Sequence, residues 1–332
     1  MERIAFIFDH IYIYWSALIL TLAAAAAVCT FLSLYLGKTG KTAVAAVVVP
    51  LAIALSLVLA RACHWYCRSD AYENLVSAMD LRTPGGFALM GVFAGCLLAA
   101  VLVRFLGLTE NLPEMLDCMC LAGGIGIAAG RLSAFFNASD RGMIVTSMLP
   151  FPWAYPSVNP VSGMEEYRIA TFLLQAIAVG TVTVVLLVFY LTGRERDLKD
   201  GDTCLIFLML YGASQVVLDS TRYDSLYFRS NGFVSVVQVL GAVTLALGIV
   251  VFSIRLVKAG GMKKWYFVLW LALAACFGLA GYMEYHVQRH GSQAVFAYTV
   301  MSAALIDILL LALLIRFLGS GARRKREKRL FG

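Results

Sequence analysis

The chain has 332 residues, 61% of them hydrophobic and only 14% charged, with a mean hydropathy of +0.81. Soluble globular chains carry roughly 25% charged residues, so this composition excludes a soluble two-domain protein, a disordered chain, a collagen-like fibre and a disulfide scaffold. The net charge of +7 falls largely on the tail Arg323, Arg324, Lys325, Arg326, Lys328 and Arg329, set against Glu327, which reads as a topology signal touching anionic headgroups. The tail has no aromatic interleaving and no folded basic module, so no nucleic-acid partner is expected.

A spanning helix needs about 20 mainly apolar residues. Nine windows qualify, near 11–36, 42–63, 86–107, 116–136, 168–192, 203–220, 232–254, 265–282 and 295–318. The fold class they predict is all-α, a polytopic membrane bundle of about nine helices. The first window is too long for a signal-peptide core and is read as retained. The sixth is the weakest, because Tyr211, Ser214, Gln215 and Asp219 interrupt it.

All eight lysines fall on one side of this arrangement, with 17 of the 27 Lys and Arg residues. That bias predicts an outside N-terminus and a cytoplasmic C-terminus. The outer side keeps ten arginines and no lysine. Arginine is the planar, bidentate partner of phosphate and carboxylate. Two long segments, about 62–85 and 137–167, lie on that same side, and prolines at 150, 152, 156 and 160 exclude a long helix from the second.

Eight cysteines sit mostly inside apolar runs, as small hydrophobes. Cys63 and Cys67 share a helical face but lack the further ligands a metal ion needs. No metal and no cofactor is expected.

Several polar groups interrupt the apolar windows. Arg131 follows the glycine-rich end of the fourth, within about two turns of the membrane edge, where an ionisable group is costly. It reads either as a snorkelling side chain or as an anion clamp. Asp219 and Arg222, three apart, are expected on one helical face with Gln215, as a self-neutralising pair or as part of a site. Glu165 and Glu166 precede the fifth window, where the helix dipole alone would favour them. Asp307 is isolated in the last window. No local signature assembles a hydrolase triad or a nucleotide loop.

In one order along the chain, these segments resemble the bacterial prolipoprotein diacylglyceryl transferase family. The segments are Tyr14-Trp15-Ser16, Pro50 with Ala60-Arg61, and Gly85-Gly86 with Gly91 and Gly95. They continue with Gly130-Arg131-Leu132 with Phe135 and Asn137, Pro160 with Glu165, and Tyr211-Gly212 with Asp219, Arg222 and Gln238. The resemblance covers about residues 8–256. It implies a seven-helix core over 1–257, with 258–332 adding two helices and the basic tail. It also implies a transferase of lipoprotein biogenesis in the bacterial cytoplasmic membrane. Such enzymes move diacylglyceryl from phosphatidylglycerol, or a related phospholipid, to the lipobox cysteine of a prolipoprotein signal peptide, and glycerol phosphate leaves.

The substrate brings the nucleophile, so the resemblance implies a catalytic set of Arg131, Asn137, Asp219 and Arg222. The two arginines hold phosphate, Asn137 donates a hydrogen bond, and Asp219 orients Arg222 or acts as a base. Tyr211, Gln215, Asp140, Ser139, Met90 and Glu165 complete the substrate-binding set. The chain departs from the family at Met90, where the family has histidine, and at Gln215, where it has arginine. The signature's glycine-asparagine pair reads Ser133-Ala134, and its glutamate position reads Ser139, with Asp140 next to it. Two alternatives stay open on these departures: a non-catalytic relative binding phospholipid or a partner protein, and a transferase of altered specificity.

Overall fold

The computed structural model describes residues 4–8, 11–80, 86–137, 141–145, 151–159, 162–192, 198–229, 231–289 and 293–331. A hairpin of β1 (Ile4–Phe8) and β2 (Ile11–Tyr14) leads into α1 (Trp15–Thr39) and α2 (Thr42–Cys67). A short helix α3 (Leu75–Met79) precedes α4 (Leu89–Phe105) and α5 (Leu112–Arg131). A second hairpin, β3 (Ala154–Val158) with β4 (Glu165–Ile169), comes before α6 (Thr171–Thr192) and α7 (Asp202–Ser220). A third pairs β5 (Tyr227–Phe228) with β6 (Asn231–Ser235). The chain ends in α8 (Val236–Gly260), α9 (Tyr266–Arg289) and α10 (Ala294–Phe331).

Among the described residues, eight helices are long and apolar enough to cross a membrane, and α4 is a shorter apolar helix of 17 residues. All nine hydropathic windows are therefore helical, and the protein is a multi-pass membrane bundle. The three hairpins, which hydropathy did not announce, are confined to the segments between or before helices. In lipid such extended backbone is tolerated only where its polar groups are satisfied, and pairing strand to strand achieves that.

The helices form two compact units. One comprises Met1–Phe207 and Thr221–Val237, the other Leu208–Ser220 and Gln238–Gly332. In the first, α2 packs along α4, α1 along α5, and α5 along α6. Lipid tails are as apolar as leucine, so these contacts rely on close packing between small residues. A Cβ on Gly91 would overlap the backbone of Leu59 and Ala60, and one on Gly95 the backbone of Ser56. Ser56 adds a hydrogen bond from Oγ to the Val92 carbonyl at 3.2 Å. A core of Phe31, Tyr35, Val48, Ala99, Val103 and Met115 fills the space between α1, α2, α4 and α5. The start of α7 is fixed by Asp117 of α5, which accepts from the Gly201 and Cys204 amides at 2.7 Å each.

In the second unit, α9 packs along α10. Gly212 of α7 and Gly241 of α8 approach so closely that a Cβ on either would meet the other's backbone. Gln238 Nε2 donates to the Val216 carbonyl at 3.0 Å, satisfying an amide side chain inside the bundle.

Candidate active site

Arg131 is the last residue of α5 and is half-buried. A single 3-10 turn, Leu132–Phe136, follows it, with Ser133 and Ala134 buried. The turn is held by aromatic contacts: Phe136 lies against Trp15 at 5.9 Å between ring centroids, and Phe135 against Phe172 at 6.1 Å. Asn137 closes the turn through its amide to the Ala134 carbonyl at 3.2 Å and is exposed. Ser139 and Asp140 lie outside the described residues.

Beyond them, residues 141–145 thread between β4 and the segment after α7. The Met143 amide donates to the Thr221 carbonyl at 2.9 Å, and the Tyr223 amide to the Arg141 carbonyl at 2.8 Å. On the other side, Ile169 donates to Met143 at 3.0 Å and Val145 to Tyr167 at 2.9 Å. Gly142 bridges Arg222 in this seam, and Ile144 bridges Arg168. A Cβ on Gly142 would overlap the Ile169 carbonyl, so glycine is what lets the strands close. The hydroxyls of Thr171 and Thr221 meet at 3.0 Å and tie the start of α6 to the same seam.

This pairing corrects one expectation. The helix ends at Ser220, so Arg222 does not share a helical face with Asp219. Arg222 lies on the seam instead, where Nε and Nη2 donate to Asp224 Oδ1 at 3.2 and 3.1 Å. Residues 221–223 pair with 141–143 as extended chain, through the Met143 and Tyr223 amides.

A second expectation also changes. Glu165 and Glu166 lie on strand β4 rather than at a helix N-terminus, and α6 begins at Thr171. Glu165 is exposed opposite Val158. Glu166 is the acid with partners: its Oε1 accepts from Arg168 Nε at 2.6 Å and its Oε2 from Asn159 Nδ2 at 3.2 Å. Arg168 is 4% exposed, donates also to the Gly142 carbonyl at 3.1 Å, and lies 5.0 Å over the Tyr223 ring. Sequence reading did not single out Arg168. Its one signal was spacing, since residues two apart in a strand share a face, and that signal is legible only once the segment is read as a strand.

The hydrogen bond from Arg168 holds the Glu166 carboxyl below its ordinary range, with Asn159 and the charge of Arg141 acting in the same direction. Burial pushes the Tyr155 phenol up, although Arg141 and Arg168 oppose it. The depressed Glu166 contributes stability above its unfolded titration range and loses it as pH falls through the folded value. The contribution of Glu166 to the melting temperature should therefore hold from about pH 7 to about pH 5 and be lost below about pH 4. Glu166→Gln should shrink that acid-side drop, and an unchanged drop in this variant would remove the ion pair from the explanation.

In the second unit, α7 presents Gln215 and Asp219, each 1% exposed, one turn apart. Tyr211 is half-buried a turn earlier, its carbonyl accepting from Ser214 Oγ at 2.7 Å. Met90 is half-buried in the first turn of α4. The structure thus joins the segment after Arg131 and Asn137 to the segment of Arg222 within one unit. Glu165 stays at the exposed edge of β4, and Met90 sits in the α2–α4 pair. Among the described residues, no three His, Cys, Asp or Glu side chains gather as a metal site needs.

Comparison with known proteins agrees with the sequence resemblance. Two phosphatidylglycerol–prolipoprotein diacylglyceryl transferases of Lactococcus lactis are similar to this chain. That of subspecies lactis is 28% identical over 261 residues, covering 78% of this chain and 96% of the relative. That of subspecies cremoris is 29% identical over 199 residues, covering 59% and 70%. The enzyme of the same name from Finegoldia magna is 26% identical over 253 residues, covering 74% and 95%. The family model for prolipoprotein diacylglyceryl transferase matches residues 3–254, and with that span, more than half of the chain, this protein belongs to the prolipoprotein diacylglyceryl transferase family.

Proposed function

We propose that the protein moves diacylglyceryl from phosphatidylglycerol to the lipobox cysteine of a prolipoprotein. The thiolate sulfur forms a bond to the glyceryl carbon, the carbon–oxygen bond to phosphate breaks, and glycerol phosphate leaves with the electron pair and the thiol's proton. A free thiol has a pKa of about 8.5, and the leaving phosphate carries negative charge, so the site needs cations more than a nucleophile of its own. Arg131 and Arg222 supply the clamp, Asn137 a hydrogen bond, and Asp219 the orienting carboxylate or base. Tyr211, Gln215, Asp140, Ser139, Met90 and Glu165 contribute to substrate binding.

The observation that carries this reading is the bridge between Gly142 and Arg222. It supports a shared site for the arginine of one family motif and the segment following another. The reading includes the bacterial cytoplasmic membrane, an outside N-terminus, a cytoplasmic C-terminus, and a core over 1–257 to which 258–332 is added.

One observation favours a second reading, a relative that binds phospholipid without turnover. Gln215 is fully buried yet uncharged where the family has arginine. Expression in cells depleted of their own transferase separates the two. A reporter lipoprotein should gain the diacylglyceryl mass. Good expression with no mass gain, and phospholipid retained by the purified protein, would favour the second.

A further inference from the structure

The geometry points to Glu284, in the helices beyond the family-matched span, as a positioning residue for the end of α7; this rests on the role proposed for Asp219. Glu284 of α9 is 6% exposed. Its Oε1 accepts from Ser220 Oγ at 3.3 Å and from Gln288 Nε2 at 3.2 Å. Tyr298 of α10 donates to the Ser220 carbonyl at 3.3 Å, and its hydroxyl lies 3.1 Å from Ser220 Oγ. Ser220 is the residue next to Asp219 and the last of its helix.

Proton counting makes these contacts a directed set. A serine hydroxyl has one proton, and a tyrosine hydroxyl has one. With the one Tyr298 proton given to the Ser220 carbonyl, Tyr298 has none left for Ser220 Oγ; the Ser220 proton goes to Glu284, and Gln288 fixes that acceptor from the other side. Tyr298 meanwhile caps one of the carbonyls that every helix end leaves without an intrahelical partner. Without Glu284, the Ser220 hydroxyl loses its acceptor and can rotate back onto its own helix or onto Tyr298.

The second carboxylate oxygen supports a functional reading. Oε2 is buried with no hydrogen-bond partner among the described residues. An unsatisfied buried acceptor costs stability, and such groups call for an explanation beyond packing. A glutamine or a methionine would fill this place at lower cost if holding the helices together were the whole task. The carboxylate suits a stronger, charge-assisted acceptor for Ser220, and so a fixed end for the helix carrying Asp219.

The test uses the full chain, phosphatidylglycerol vesicles and a lipobox peptide. Glu284→Ala and Ser220→Ala should each lower kcat about tenfold, the size of one lost hydrogen bond to a charged group. KM for phosphatidylglycerol should stay within about twofold. Glu284→Gln keeps an acceptor oxygen but loses the charge, and should fall between wild type and Glu284→Ala, about threefold slow. The double variant should be no slower than the slower single one, because both changes break the same contact. A merely structural role would lower yield and melting temperature without changing the rate per folded molecule. Where Glu284→Ala does not accumulate, Ser220→Ala and Glu284→Gln decide.

Wild-type kcat in Glu284→Ala or Ser220→Ala, additive losses, or a Glu284→Gln variant as slow as Glu284→Ala would overturn the inference. Asp219→Asn separates it from the reading beneath it. If that variant keeps full activity, the role of Asp219 fails. If it is inactive while Glu284→Ala is unimpaired, only the positioning role fails.

Discussion

Arg222→Ala is expected to lower diacylglyceryl transfer by about 10²–10³, the usual cost of removing one preorganised donor from a site where charge develops. The residue is well placed for that effect. Its backbone is bridged to Gly142, and its guanidinium is held by two hydrogen bonds to Asp224. Thr221, one residue earlier, is tied to Thr171 of α6. A cation held this firmly needs little rearrangement when phosphate leaves, which is the physical basis of preorganisation. Arg222→Lys keeps the charge but loses the planar fork, and is expected to recover about tenfold of that loss at most. The check is the rate of mass gain on a lipobox peptide, with the melting temperature measured alongside. Near wild-type turnover in Arg222→Ala would take this arginine out of the clamp.

Much of the helical fold was legible in the sequence because lipid imposes one simple demand, a long apolar run with satisfied backbone. All nine windows are helices, including the sixth, where the polar residues looked like interruptions. Gln215 and Asp219 are compatible with that helix because both are buried within the protein. The three hairpins were far less legible. Strands of four or five residues carry too few alternations to announce themselves, and β5 has only two residues. Reading β4 as the approach to a helix hid the pairing of Glu166 with Arg168, and carrying the helical register past Ser220 hid the bridge from Arg222 to Gly142. Glu284 lay just past the eighth apolar window, with no motif around it. Its meaning depends on Ser220, 64 residues away, which no local pattern can reveal.

Arg61→Ala should produce the largest loss of stability. Arg61 stands near the end of α2 and is 2% exposed. Its Nε donates to the Ala78 carbonyl at 2.7 Å, Nη1 to Gly86 at 3.2 Å and Nη2 to Asp80 at 3.5 Å. The guanidinium also lies 5.0 Å over the Tyr72 ring and 5.3 Å over Phe87. One side chain thus gathers both ends of the connection between α2 and α4. Next to it, His64 Nδ1 and the Tyr72 hydroxyl meet at 2.8 Å, and a Cβ on Gly86 would run into the His64 ring. Alanine would remove the donors and leave carbonyls without partners, each costing about 1–3 kcal/mol where water cannot replace the donor. A total of roughly 3–5 kcal/mol is expected, in the range of the most damaging single substitutions. The connection should then open to protease between α2 and α4 at temperatures where the wild-type chain stays intact. Arg61→Lys, with one compact ammonium in place of a fork, can reach fewer of the three carbonyls and should fall between the two. If Arg61→Ala resists protease as the wild type does, the carbonyls have found other donors and Arg61 is not what closes this connection.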